Sequence, residues 1–410
     1  MGARVSSDTE PSPLELVEVN KEEEGISMSE PSLGRIQRNS SIELLRIIAI
    51  LMIVLHHASV HSTLDVWSQP FCLKRLFFQL CNSISGEVGN ALFLLISVWF
   101  LADRRIMVRD ACKKIWILER ELLFWSIAIL IAQIIWNPVQ VDYNSVLNAF
   151  FPISRNVWWY ATSYALFLAI LPFLSEGLRK LGQKLHAQCC IVMFVIGGLL
   201  NFIPGSSLNI GNNVLGFMYV WILFSYYRWY MERVTVKAAG IIAVTGLVVV
   251  LFWNTLMAFF WRGDGGLQSM FSEPVGRIWS LPVLMISFGL FSLCSEITFH
   301  NRAINAVASA AFGVYLITDH QYVRNILWTQ LFNAEYFYNS RYAILHLLAV
   351  ASATYAIASA LDMIRNTLFS FTIDRHRGAC FDKLWMKGTK AMKTYFQAPD
   401  NGKGSNGNAM

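Results

Sequence analysis

Apolar residues in this chain gather in ten long runs separated by polar breaks, at about 42–61, 86–102, 114–136, 157–175, 188–204, 213–229, 238–261, 278–297, 303–318 and 341–363. A hydrocarbon layer of about 30 Å takes roughly 20 helical residues to cross. A helix also satisfies its own backbone hydrogen bonds where no water is present. The runs therefore predict an all-α, polytopic membrane protein of about ten transmembrane helices in one bundle, the second, fifth and ninth being short. Residues 1–34 lack an apolar core, are acidic and contain Glu22-Glu23-Glu24, which predicts a disordered tail. The membrane domain is expected over 35–365, with a basic tail over 366–410.

The polar breaks set the orientation. With the N-terminus in the cytoplasm, the inside segments carry 21 lysines and arginines and the outside segments seven. That bias follows the positive-inside rule and places both termini of a multi-pass membrane protein in the cytoplasm. The tail beyond Arg375 interleaves basic residues with Phe381, Trp385 and Tyr395, which suits either the anionic inner leaflet or solvent.

Composition agrees: 55% of residues are hydrophobic, 14% aromatic and only 15% charged, against about 25% charged in soluble domains. The net charge of +6 speaks to orientation and not to nucleic acid. The seven cysteines form no CxxC pair, so no zinc or redox framework is expected. Cys72 and Cys81 share an outer loop and could pair; free thiols are the plainer reading. A myristoylation pattern at Gly2 and Ser6 is discounted, since the chain already sits in the membrane. A glycosylation pattern at Asn39 is discounted because it falls on the cytoplasmic side.

Within the first run, Arg46 and His57 are eleven residues apart, about 20° past three full turns and roughly 16 Å along the axis. They share one stripe of the helix, and ionisable groups inside a bilayer face a cavity or a partner. His57 could act as a general base on a sugar hydroxyl, or it could be a satisfied histidine at a helix end. His56 and His61 lie close by. Arg46 could snorkel to the surface or bind an anion, as guanidinium groups bind phosphates. Glu119-Arg120-Glu121 interrupts the third run, where Arg120 with Lys113, Lys114 and Arg46 could form a cationic cradle for a nucleotide phosphate. An internal ion pair among those three residues is the alternative. The ninth run ends in Thr318-Asp319-His320. Asp319 and His320 could meet the outer end of the first helix, where a carboxylate would orient His57, or form an ordinary polar helix end.

These residues resemble those of the acyltransferase 3 family of integral membrane acyltransferases. Leu45-Arg46 and His57 are similar to the family's Arg-x10-His signature. Gly89 through Leu101 resembles its second-helix segment, with Val98 in place of the usual glycine. Val157-Trp158-Trp159-Tyr160 through Leu171-Pro172 resembles its fourth-helix stretch. Phe312-Gly313-Val314-Tyr315-Leu316-Ile317 resembles its late element, with Thr318 where a histidine often follows. Arg120 loosely matches a basic element at the start of the third helix.

The resemblance implies ten or so helices and an acyl donor, usually acetyl-CoA, that enters from the cytoplasm. It implies a polysaccharide or glycolipid hydroxyl at the membrane as acceptor. His57, Asp319 and His320 are then the expected catalytic group, with Arg46, Arg120, Lys113 and Lys114 on the donor and no metal. Transfer is expected to be direct, a relay through Ser97 or a cysteine being the other route. A transporter or flippase using the same charges, and a degenerate, purely structural relative, are the rival readings. An apolar face reads the same against lipid as against a second copy, so oligomeric state is not set by the sequence.

Overall fold

The computed structural model describes residues 38–203, 210–375 and 378–397, side chains excepted at 201 and 391–397. The acidic tail over 1–34, with its myristoylation pattern, lies outside the described residues, as does the chain beyond 397. Every regular element among the described residues is helical.

Helix α1 (Ser40–Val60) leads. It is followed by α2 (Leu73–Leu80), a π-helical turn at Cys81–Ser85, α3 (Gly86–Ala102), α4 (Val108–Trp136), α5 (Tyr143–Phe150) and α6 (Trp159–Met193). Then come α7 (Val214–Tyr230), α8 (Val236–Phe260), α9 (Gly265–Gly276), α10 (Leu281–Glu296), α11 (Arg302–Ser309) and α12 (Ala311–Asp319). The chain closes with α13 (Gln321–Asn325), a π turn at Ile326–Leu331, α14 (Ala334–Phe337), α15 (Ala343–Phe371) and α16 (Ala379–Gln397).

Among the described residues, five helices are long and apolar enough to cross a membrane, or six if the bent pair α9–α10 counts as one span. The expected ten runs map onto these unevenly, for physical reasons. The fourth and fifth runs join without a loop: α6 continues through Gly182, whose φ of 70° and ψ of 175° break the helix in a region open to glycine. The second run begins earlier than expected, because α2 and its π turn extend it back to Leu73. The ninth is split at Ala310 into two short helices. The third keeps Glu119, Arg120 and Glu121 within α4, and the sixth is a helix of 17 residues. The tenth passes residue 365 and ends at Phe371. The part of the basic tail that is described, up to Gln397, is helical, with Phe381 packed on Trp116 at 6.3 Å between ring centroids. Cys72 and Cys81 are free thiols.

α1 is the hub. It touches α3, α10, α11, α12 and α15. Its apolar residues Ile42, Leu45, Ala49, Ile50, Ile53 and Val54 are almost fully buried. Its N-terminus is tied by side-chain bonds that a lipid-facing helix would lack. Asn39 accepts from the Ser41 N–H at 3.1 Å and donates to the Ile297 carbonyl at 2.9 Å, while the Ser41 hydroxyl donates to the Cys294 carbonyl at 2.8 Å. α3 lies close enough that a Cβ on Gly89 would sit 2.5 Å from the Ala49 carbonyl oxygen. Because α1 is clamped at its foot and along its length, the positions of Arg46 and His57 within the bundle are fixed by the fold.

Candidate active site

His57 lies in the last turn of α1 and is 7% exposed. Its Nε2 stands 3.4 Å from Oδ1 of Asp319, the last residue of α12, itself 6% exposed. The pair brings together residues from the first and ninth apolar runs. Several contacts hold it. The Trp158 indole N–H donates to the Leu316 carbonyl at 3.0 Å, pinning α12 to the start of α6. Gly313 lets α12 approach α15, since a Cβ there would overlap the Asp362 carboxyl. Arg324 on α13 donates to Asp319 Oδ1 at 3.2 Å, so the carboxylate is shared between a ring and a guanidinium.

His320 lies beside the pair but does not join it. Its ring meets Trp158 edge-on at 5.5 Å, and its Nδ1 accepts from the Tyr322 N–H at 3.4 Å, starting α13. His61, one turn beyond His57, caps α1, its ring 5.4 Å from that of His57. His56 turns away toward the π turn, its Nδ1 3.3 Å from the Cys81 carbonyl. Thr318 does not substitute for a histidine: it is fully buried and its hydroxyl donates to the Val314 carbonyl of its own helix at 2.9 Å. Ser97 likewise donates to the Phe93 carbonyl at 3.1 Å.

Asp319 and His320 line a polar cleft of about 980 Å³. α5 forms much of its far wall. Arg155 reaches back to donate to the side-chain Oδ1 atoms of Asn144 and Asn148 at 2.9 and 3.1 Å, which fixes that wall. Asp142 caps α5, and the hydrogen bonds it accepts from the Ser145 hydroxyl and N–H hold its carboxyl below the usual carboxylate range.

Nearer the other end of α1 is a second, smaller cavity of about 210 Å³. Arg46 and Arg120 both line it, with Arg38 and Arg365. Arg46 is 3.3 Å from Glu43 within α1. Of Glu119-Arg120-Glu121, Arg120 pairs with Asp374 at 2.7 Å and Glu121 with Arg365 at 2.8 Å, partners from the end of α15 and just beyond. Arg365 also binds Asp362 at 2.7 Å, and Asp362 accepts from the Trp125 indole at 3.0 Å. Lys113 and Lys114 are not on this wall. Lys113 binds Asp382 of α16 at 2.7 Å, and Arg109 binds the same carboxylate at 2.7 Å. The structure thus puts Arg46 and Arg120 on one cavity wall together with Arg38 and Arg365.

The sequence reading missed Arg38, Arg365, Asp374 and Arg324. One signal was present: Asp362 and Arg365, three apart in an apolar run, make a self-paired couple of the kind that buried helices carry. The expectation of no metal rested on the absence of a local motif. The fold nevertheless gathers ligand atoms of His57, His61 and Asp319 within 4.8 Å of one another.

An aromatic cluster packs behind Phe312, which lines the smaller cavity. Phe93 stacks on Phe312 at 6.4 Å, and Tyr160 meets Phe93 at 5.9 Å and Tyr315 at 6.1 Å.

No curated protein and no solved structure matches this chain. A family model described as an acyltransferase domain, Acyl_transf_3, matches residues 39–363, from the cap of α1 to within α15. That span contains the His57–Asp319 pair, the lining of the larger cleft, and Arg46 and Arg120 of the smaller cavity, with Arg38 and Arg365 just outside it, and the chain belongs to the acyltransferase 3 family.

Proposed function

We propose that this protein is an integral O-acyltransferase of the plasma membrane, with both termini cytoplasmic, that moves an acetyl group from cytoplasmic acetyl-CoA to a hydroxyl of a surface polysaccharide or glycolipid. The observation that carries the reading is the placement of one buried His–Asp pair and one arginine-lined cavity on the same helix, α1.

The donor's phosphates would sit on Arg46, Arg120 and Arg365, where guanidinium groups can bind bidentately. Asp374 holds Arg120 until they arrive. A pantetheine arm would run past Phe312 and Tyr160 toward His57, roughly 16 Å along the helix. The acceptor would lie in the polar cleft with one hydroxyl on His57. His57 takes that proton as the oxygen attacks the thioester carbonyl. The C–O bond forms, the C–S bond breaks, and the proton passes from His57 to the departing thiolate. Asp319 orients the ring and stabilises its charged form. Products are the acetyl ester and free CoA, and no covalent enzyme intermediate is needed.

Membrane vesicles given labelled acetyl-CoA test the reading. Label should enter the glycan or glycolipid fraction, and collapsing ion gradients should leave that transfer unchanged. Label that never leaves the donor, together with gradient-driven movement of a glycan or lipid, would support a transporter instead.

A further inference from the structure

We propose that His57, His61 and Asp319 form a binding site for a divalent transition-metal ion of the zinc class, and that an ion seated there reversibly stops acyl transfer, because a His57 ring ligated through the nitrogen that faces Asp319 carries its proton on the other nitrogen and can take up no more. Only the inhibitory half rests on the proposed function; the metal site stands on geometry.

Two imidazoles and a carboxylate offer atoms that all lie within 4.8 Å of one another. A tetrahedral zinc with bonds of about 2.0–2.1 Å has ligand-to-ligand edges of about 3.4 Å. The His57 Nε2 to Asp319 Oδ1 distance is 3.4 Å. That is longer than a well-formed N–H···O bond of about 2.7–3.2 Å, and it matches the spacing of two ligands on one ion. His57 and His61 are four residues apart, and the His61 N–H still donates to the His57 carbonyl at 3.1 Å. The helical turn therefore continues through His61 and keeps both rings on one side, the spacing that helical zinc motifs use. His57 and Asp319 are more than nine-tenths buried, whereas His61 opens onto the 980 Å³ cleft, which gives an ion its route and leaves a fourth position for water.

Two features make the site a reversible switch and not a resident centre. His57 Nδ1 is buried without a hydrogen-bond partner. Ligating histidines ordinarily donate that second N–H to an acceptor, and losing such support weakens metal binding by about 10–100-fold. Arg324 also stands 3.2 Å from Asp319 Oδ1 and balances that carboxylate. Its side chain is 31% exposed, so it can swing into the cleft when a divalent cation arrives. The nitrogen ligands favour zinc, copper or nickel over magnesium and calcium, which prefer oxygen cages.

The test uses the full chain purified in detergent, stripped with a chelator and titrated with zinc by calorimetry and with cobalt by visible absorption. The wild type should bind one ion and show the intense ligand-field bands of tetrahedral cobalt. His61→Gln and Asp319→Asn should each weaken binding by at least about tenfold. His61→Cys should keep the ion and add a thiolate-to-cobalt charge-transfer band, which also guards against loss of folding in the other variants. In the acetyl-transfer assay zinc should stop the wild type, and a chelator should restore it. His61→Gln should need at least about tenfold more zinc, each rate being taken relative to that variant's own zinc-free rate. No saturable binding by the wild type, or binding unchanged in His61→Gln and Asp319→Asn, would overturn the site. Undiminished transfer by the zinc-loaded wild type would overturn the inhibition. A chain that binds zinc through these residues yet transfers no acyl group would keep the site and remove the proposed function.

Discussion

His57 shares its carboxylate partner with a guanidinium, and that sharing shapes what single substitutions should do. Asp319 accepts from Arg324 as well as facing His57, so replacing it releases two side chains at once. Asp319→Asn should therefore lower kcat by about 10²- to 10⁴-fold, the usual scale of a positioned acid–base contribution, while KM for acetyl-CoA changes little. Steady-state kinetics on purified protein would show the split. Arg46 lies at the other end of α1 and touches the donor in this account. Arg46→Ala should raise the donor KM by about 10- to 100-fold, since a charge-assisted hydrogen bond contributes about 1.5–3 kcal/mol, with a smaller effect on kcat. The reverse pattern would mean that Arg46 acts at the chemical step. Arg46 and His57 were legible in the sequence because helical periodicity alone puts them on one stripe. Asp319 was legible as a polar end to an apolar run. Arg324 was not, because its contact depends on how α13 turns back at His320.

At the scale of elements, the informative departures are breaks. Hydrophobic pattern locates apolar runs well, but it does not report Gly182 bending α6, Ala310 dividing the ninth run, or the π turn before α3. These breaks come from backbone geometry and tertiary packing, which period and composition carry only weakly. Pairing between distant elements is equally silent: Arg120 with Asp374 and Glu121 with Arg365 join residues more than 240 positions apart. α16 shows the consequence. It is amphipathic enough to read as a surface tail, yet Asp382 anchors it to Arg109 and Lys113 on α4. Hydrogen bonds from Lys113 first, and from Arg109, hold the Asp382 carboxyl below its ordinary value of 3.8. A depressed carboxylate adds stability that is fully present above the unfolded value and is lost as pH falls through the lower folded one. Docking of α16 should thus weaken only in acid below that range, and high salt should weaken it because the pair is exposed. Asp382→Asn should loosen it at neutral pH. Hydrogen exchange of the α16 amides would measure all three effects, and unchanged protection in the variant would contradict the anchor.

For the whole molecule, the arginine-lined cavity lies at the end of α1 that the charge count predicts to be cytoplasmic, and the polar cleft lies toward the other. Two exposed free thiols allow a direct check. Cys72 precedes α2 on the expected outer side, and Cys380 lies in α16 on the expected inner side. A membrane-impermeant thiol reagent applied to intact cells should label Cys72 and spare Cys380 until the membrane is opened. The opposite order would invert the orientation and place the arginine cavity out of reach of cytoplasmic acetyl-CoA.

The central claim is that one histidine on α1 takes the acceptor's proton. The measurement that bears on it most directly follows labelled acetyl-CoA into the glycan fraction of vesicles carrying the wild type or His57→Ala at matched expression and equal donor binding. Transfer by the wild type, falling by at least about 10²-fold in the variant while acetyl-CoA still binds, is the predicted result. Transfer that persists in His57→Ala at the wild-type rate would contradict it and move the chemistry to another group of the cleft.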